Sequence, residues 1–258
     1  MKNAARRIYI ALIFIFMYAP IATLAVLSFN ASKSRAKWGG FTAEWYLSLF
    51  KNEEIMQALW NTLAIALISS VVATIVGTVS CIAIQSMKKK GRTIVMGITN
   101  IPMLNADIVT GISLMLLFIV LGIRLGFFTI LLAHITFNIP YVILSVMPRM
   151  KQLNPSVYEA ALDLGASPVQ AFFKVIFPDI LPGVLSGFLM AFTMSLDDFI
   201  ITYFTKGPGI DTLSTKIYTE VRKGIKPEMY ALSTIIFLVV LVLLFLVNRT
   251  PKEKEEQE

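Results

Sequence analysis

From Ile8 to Phe29 the chain runs for 22 residues without a charge. A helix rises 1.5 Å per residue, so about 20 apolar residues cross the roughly 30 Å hydrocarbon core of a bilayer. Comparable stretches recur at roughly Ala58–Met87, Ile94–Ile123, Leu125–Met147, Ile180–Thr205 and Met229–Asn248. Backbone groups cannot stay unpaired in lipid, which leaves helices or closed barrels. The alternating pattern of a membrane barrel is absent. Apolar residues make up 56% of the chain and charged residues 15%, against about 45–50% and about 25% in soluble domains. The expectation is an all-α integral membrane protein with six transmembrane helices, forming one membrane domain over residues 1–258. No repeat, soluble domain or internal linker interrupts it. Lys2, Arg6 and Arg7 before the first apolar run imitate a secretory signal. That run exceeds the roughly 7–15 residues of a signal core, so it reads as a retained span.

Orientation follows the basic residues of short loops. Lys88, Lys89, Lys90 and Arg92 crowd between the second and third spans, Lys2, Arg6 and Arg7 precede the first, and Arg249, Lys252 and Lys254 follow the last. With six spans all of these share one side, which places both termini in the cytoplasm. The ten basic residues of the outer loops lie mostly in the long segments Asn30–Gln57 and Lys206–Glu228, where the rule is weak. The net charge of +7 is thus membrane-flanking and calls for no nucleic-acid partner. The charged end, residues 250–258, is expected to be disordered.

The segment 154–178 is punctuated like a folded loop. Asn154 is placed to N-cap a helix that opens with Pro155, and Gly165 supplies its end. Ser167 restarts a helix at Pro168, with Gln170 at capping-box spacing. The expected order is helix, glycine elbow, helix, then Pro178 before the next apolar run. By parity this loop is cytoplasmic.

Asp107, Asp197 and Asp198 lie inside apolar runs. A carboxylate at the centre of a span costs about 2.5–3.5 kcal/mol on insertion scales. No lysine or arginine within the spans can pair with them. One reading has them facing a hydrated pathway with a transported cation as partner; helix–helix hydrogen bonding or a shifted span boundary is the other. Adjacent positions differ by about 100° around a helix, so Asp197 and Asp198 cannot point alike. Ser195, Thr193 and Thr202 add hydroxyls nearby. Pro102 and Asn105 make the approach to Asp107 irregular, which membranes tolerate where backbone lines a cavity. Trp38, Trp45, Tyr46 and Phe50 form either an interfacial belt or, at Trp45 first, a contact for an alkylammonium group. His134 reads as an interhelical hydrogen bond, Cys81 as a packing residue, and Gly183, Gly187 and Ala191 as a close-contact face. No residues are spaced for a metal site, and no phosphate-binding loop is present.

Glu159, Ala160, Ala161, Gly165 and Pro178 match the EAA loop of binding-protein-dependent ABC importer permeases, with Val175 and Phe177 as conservative departures. YAPIATLAVLSFNAS, GFTAEWY, NADIVTGISLMLLF, HITFNIPYV and MSLDDFIITYF extend the resemblance in order along the chain, to the spermidine/putrescine branch of that family. The resemblance implies a type I importer (MetI-like) permease fold in a bacterial cell (inner) membrane. It implies a second homologous permease subunit, two copies of an ATP-binding subunit and an extracytoplasmic polyamine-binding protein. ATP and Mg would sit on the ATPase, and this chain would bind no cofactor and be no enzyme. Glu159, Ala160, Ala161, Gly165, Ala166 and Ser167 would couple to the ATPase. Asp107, Asp197, Asp198, Ser195 and Trp45 would serve the pathway for spermidine or putrescine. A permease for another amine, a thiamine-like cation or ferric ion remains open. The rival classes are an intramembrane aspartyl protease, in which the EAA loop would be idle, and a passive channel, which nucleotide dependence of uptake would distinguish.

Overall fold

The computed structural model describes residues 2–34 and 36–249. The expected disordered tail, 250–258, lies outside the described residues. In chain order the helices are α1 (Lys2–Leu27), α2 (Glu44–Lys51), α3 (Glu53–Ser86), α4 (Lys89–Leu104), α5 (Asp107–Val120), α6 (Phe127–Gln152) and α7 (Pro155–Asp163). There follow α8 (Pro168–Ala171), a π-turn at Phe172–Ile176, α9 (Phe177–Asp197), α10 (Ile200–Thr205), α11 (Leu213–Lys223) and α12 (Pro227–Arg249). Among the described residues the sole β pairing is an isolated bridge, Asn30 to Phe41.

Among the described residues four stretches are long and apolar enough to cross a membrane: Arg6–Leu27, Glu53–Ser86, Phe127–Gln152 and Pro168–Asp197. A fifth is the pair α4–α5, bent by 103° between them. Among the described residues α12 contributes a shorter apolar stretch, Pro227–Leu238. The third expected span is therefore two helices rather than one. Its break has a local cause. Pro102 removes a backbone donor from the last turn of α4, and Asn105 and Ala106 are extended before α5 begins.

The chain divides into two compact units. One comprises Met1–Met56 and Ile217–Glu258. In it α1 and α2 both touch α12. Asn30 organises the loop after α1: its side-chain oxygen accepts from the backbone N–H of Ser32 (3.1 Å) and Gly39 (2.8 Å), and its amide donates to the Lys37 carbonyl at 3.0 Å. Phe29 stacks on Phe41 and leans on Tyr46, whose hydroxyl bonds Ser28 at 2.7 Å. Most of α1 presents its apolar side chains outward, as a helix does when lipid or another chain completes its surroundings.

The other unit, Gln57–Lys216, has its core where α3, α6 and α9 meet. Small residues permit that approach. A Cβ on Gly187 would come 3.3 Å from the Val142 backbone, and one on Gly183 within 3.0 Å of the Ser145 carbonyl. Gly77 brings α3 against Val142 in the same way. The buried Cys81 thiol donates to the Ile143 carbonyl at 3.6 Å and fills space among Ile84, Val146 and Met147. Gly77 lies opposite Ile139–Val142 and Cys81 opposite Ile143, so α3 and α6 run parallel. The α4–α5 pair must therefore return the chain once. Opposite α6, Gly187 meets Val142 while Gly183 meets Arg149, so α9 runs antiparallel.

The basic ends have structural work. Arg92 donates through Nε to the Ile84 carbonyl at 3.3 Å and through Nη2 to that of Gln85, closing the C-terminus of α3. Arg149 and Lys151 occupy the last turn of α6, at the same end of the parallel pair and on the favourable pole of the helix dipole.

Candidate functional site

The fifth expected span breaks in the middle of its acidic pair. α9 stops at Asp197, Asp198 is extended (ψ 126°), and α10 starts at Ile200. The break is held by Asp198 itself. Its carboxylate accepts from the backbone N–H of Ile201 (3.2 Å) and Thr202 (2.7 Å) and from the Thr202 hydroxyl (2.8 Å), capping α10. The His134 Nε2 stands 3.4 Å away, with the imidazole 1% and the carboxylate 9% exposed.

This carboxylate is one end of a hydrogen-bond chain through four helices. Ser69 of α3 lies 3.1 Å from the Ser195 hydroxyl of α9, and Ser195 lies 2.5 Å from His134 Nδ1 of α6. His134 Nε2 lies 2.9 Å from the Thr202 hydroxyl, which donates to Asp198. One ordering satisfies every link: Ser69 donates to Ser195, Ser195 to Nδ1, and Nε2–H toward Thr202 and Asp198. The Asp198 carbonyl in turn accepts from the Ser214 hydroxyl at 2.6 Å. His134 thus forms the expected interhelical hydrogen bonds. Among the expected pathway residues, Ser195 and Asp198 are interior and mutually linked.

Asp107 and Asp197 stand differently. Both are exposed, and neither has a hydrogen bond or ion pair among the described residues. The geometry of α5 and α10 relates them. Gly111 packs on Ile200, Ile201 and Phe204, and beyond the helices Gly207 abuts the Leu125 backbone. These half-helices therefore run parallel, and Asp107, one turn before Gly111, shares an end with Asp197. Both begin at irregular backbone, where helix N-termini open their donors toward the break.

Trp45 belongs to the unit built from the two chain ends. Its indole N–H donates to the Asn30 carbonyl at 2.8 Å, leaving the ring partly exposed. Trp38 and Phe50 are more open, at 52% and 61%.

In the expected coupling loop the caps form as the spacing predicts. Asn154 accepts from Ser156 N–H at 3.1 Å. Gly165 turns the chain at φ +90°, and Ser167 and Gln170 form the reciprocal capping box. Glu159, Ala160, Gly165 and Ser167 are exposed, Ala161 and Ala166 partly so, and Leu164 at the elbow is 89% exposed. The second expected short helix is not separate. α8 passes through the π-turn into α9 without a break at Pro178, so Pro168–Asp197 is one 30-residue stretch. Proline is tolerated there because it sits in the first turn of α9, and the π-turn absorbs the misfit.

Outside the apolar stretches, Lys206 and Thr215 (3.1 Å) bind the Asp211 carboxylate. Its backbone carbonyl accepts from Asn61 at 3.0 Å, and Leu213 N–H donates to Thr62 at 2.8 Å. Partial burial opposes ionisation of Asp211, but the Lys206 hydrogen bond and charge, with Thr215 and Lys216, hold it below its ordinary value of 3.8. Sequence reasoning missed Ser69 and Ser214 as members of the network. A serine in an apolar run was their only signal, and its partner cannot be read from spacing.

Residues 73–250 match the family described as binding-protein-dependent transport system inner membrane component. The chain is 37% identical over 246 residues to the spermidine/putrescine transport system permease protein PotC of Escherichia coli K12, covering 95% of this chain and 93% of that one. It is also 37% identical over 264 residues to the putrescine transport system permease protein PotI of the same strain, with 98% and 94% covered. Its fold resembles the crystal structure of a bacterial ABC transporter involved in import of the acidic polysaccharide alginate. There the TM-score is 0.72 at 20% identity, with 97% and 96% covered. The chain belongs to the family of inner membrane components of binding-protein-dependent transport systems.

Proposed function

We propose that this chain is the permease subunit of an ATP-driven polyamine importer, taking spermidine or putrescine. The observation that carries the reading is 37% identity over 95% of the chain to a spermidine/putrescine permease. Exposed carboxylates at broken helices support it, because ammonium groups spaced along a flexible chain suit acids on separate helices. The subunit is one membrane domain of six spans, with α12 as the last and both termini cytoplasmic. It works beside a second homologous permease and two copies of an ATPase, which binds ATP and Mg. An extracytoplasmic binding protein delivers the polyamine.

In this reading nucleotide-driven closure of the ATPase moves α7 and the elbow around Gly165. Glu159, Ala160, Ala161, Ala166 and Ser167 form the contact. The continuous stretch from α8 into α9 carries that movement to the break at Asp198. There Asp107 and Asp197 receive the cation, and Ser195 and Asp198 buttress them; in the other unit, Trp45 is a separate aromatic contact for an alkylammonium group.

The test is uptake of labelled spermidine by the assembled complex, with putrescine, thiamine and ferric ion as competitors. Competition by putrescine alone is expected, as is loss of uptake in Asp107→Asn combined with Asp197→Asn. Displacement by thiamine or ferric ion instead, or full uptake by the double variant, overturns the reading.

A further inference from the structure

We propose that the two adjacent aspartates divide the work: Asp198, with His134, is a buried clamp that holds α10 across the helix break, and Asp197 alone presents charge to the substrate. The inference rests on the polyamine reading above and assigns roles within it.

The Asp198 carboxylate is 9% exposed and already accepts from two backbone N–H groups and a hydroxyl, with the imidazole N–H directed at it. A carboxylate has about four acceptor sites; three of these donors meet Oδ2 and the Ile201 N–H meets Oδ1, which leaves one Oδ1 position in a group that is almost wholly enclosed. An incoming ammonium would have to displace a helix cap and break a chain of bonds through α3, α6 and α9. Asp197 is one residue earlier, exposed, and without a described partner. It projects about 100° away around the last turn of α9. The parallel arrangement of α5 and α10 puts the equally open Asp107 at the same end. The clamp explains how a break can persist there. Without Asp198 the first donors of α10 would be unpaired at membrane depth. Without His134, α6 would lose its bonds to Ser195 of α9 and to Thr202 and Asp198 at the start of α10, keeping the Thr129 hydroxyl's bond to the Thr205 carbonyl at the far end of α10 (2.8 Å).

The experiment is spermidine uptake kinetics in proteoliposomes holding the full complex. Asp197→Asn is expected to raise KM at least tenfold. Asp198→Asn and His134→Gln are expected to lower Vmax at least fivefold with KM within twofold of the parent. Their combination should be no worse than the more severe single change, because both break one unit. A KM rise in Asp198→Asn matching that of Asp197→Asn overturns the division, as does an additive loss in the combination. A second measurement does not depend on activity. In a Cys81→Ala background, a cationic methanethiosulfonate reagent should label Asp197→Cys and leave Asp198→Cys unlabelled. The reverse pattern, or equal labelling, also overturns the proposal. If the parent complex takes up no spermidine, the substrate reading falls, while the labelling contrast still decides the clamp.

Discussion

Gly187 and Gly97 sit in the interiors of apolar helices, yet only one of them is required by its surroundings. At Gly187 a Cβ would press on Val142 and Ser145 at 3.3–3.4 Å; at Gly97 it would meet nothing within 4 Å. Gly187→Val is therefore expected to cost about 1–3 kcal/mol through overpacking. Gly97→Ala should be neutral or stabilising by up to about 1 kcal/mol, because it reduces the freedom of the unfolded chain. Thermal melting of the purified protein in detergent checks both. Equal losses at the two sites would show that the α6–α9 contact is not the cause. The spacing of Gly183, Gly187 and Ala191 made this face legible in the sequence. The acids were legible only as anomalies. Three carboxylates in apolar runs demand compensation, but a one-dimensional pattern cannot distinguish a carboxylate filled by a helix cap from one left open. The adjacent Asp197 and Asp198 have opposite surroundings because the helix ends between them.

At the scale of elements, the fold of the 154–178 segment follows from local rules. Caps act over three or four residues, so Asn154, Ser167 and Gln170 announce their helices directly. Gly165 holds φ +90°, where a side chain costs roughly 1–2 kcal/mol. Gly165→Asp or Glu159→Lys should leave the protein inserted and assembled while ATP-driven uptake falls at least tenfold. Full transport by both would remove the docking role. What local rules could not supply is the continuity of α8 with α9, since Pro178 is as compatible with a first turn as with a stop. The Lys206–Asp211 loop gives a pH test. The folded value of Asp211 is depressed, so its stabilisation is present above about 3.8 and is lost as pH falls through the lower folded value. Asp211→Asn should lower the melting temperature at pH 7, and the difference from the parent should close as pH falls through the depressed folded value of Asp211. A gap that persists in acid would assign the effect to packing instead.

For the whole molecule, the proposed six-span arrangement predicts which surfaces face which compartment. A membrane-impermeant thiol reagent added from outside should label Gly209→Cys in intact cells, in a Cys81→Ala background. Gly165→Cys and reporters fused at either terminus should react only from the cytoplasm. External labelling at 165 would invert the topology. The sequence alone determined the medium, the helical class and the capped fold of the 154–178 loop, and it supplied the expectations of six crossings and a cytoplasmic side for that loop. Those depend on run length, the sum of charges and caps, all properties of neighbours along the chain. Tertiary structure alone decided that α3 and α6 run parallel, that α4 and α5 bend into one return, and that His134 reaches Asp198 across 64 residues of sequence. Such pairings depend on which helix faces meet, and apolar runs exposed to lipid carry little periodicity to declare a face.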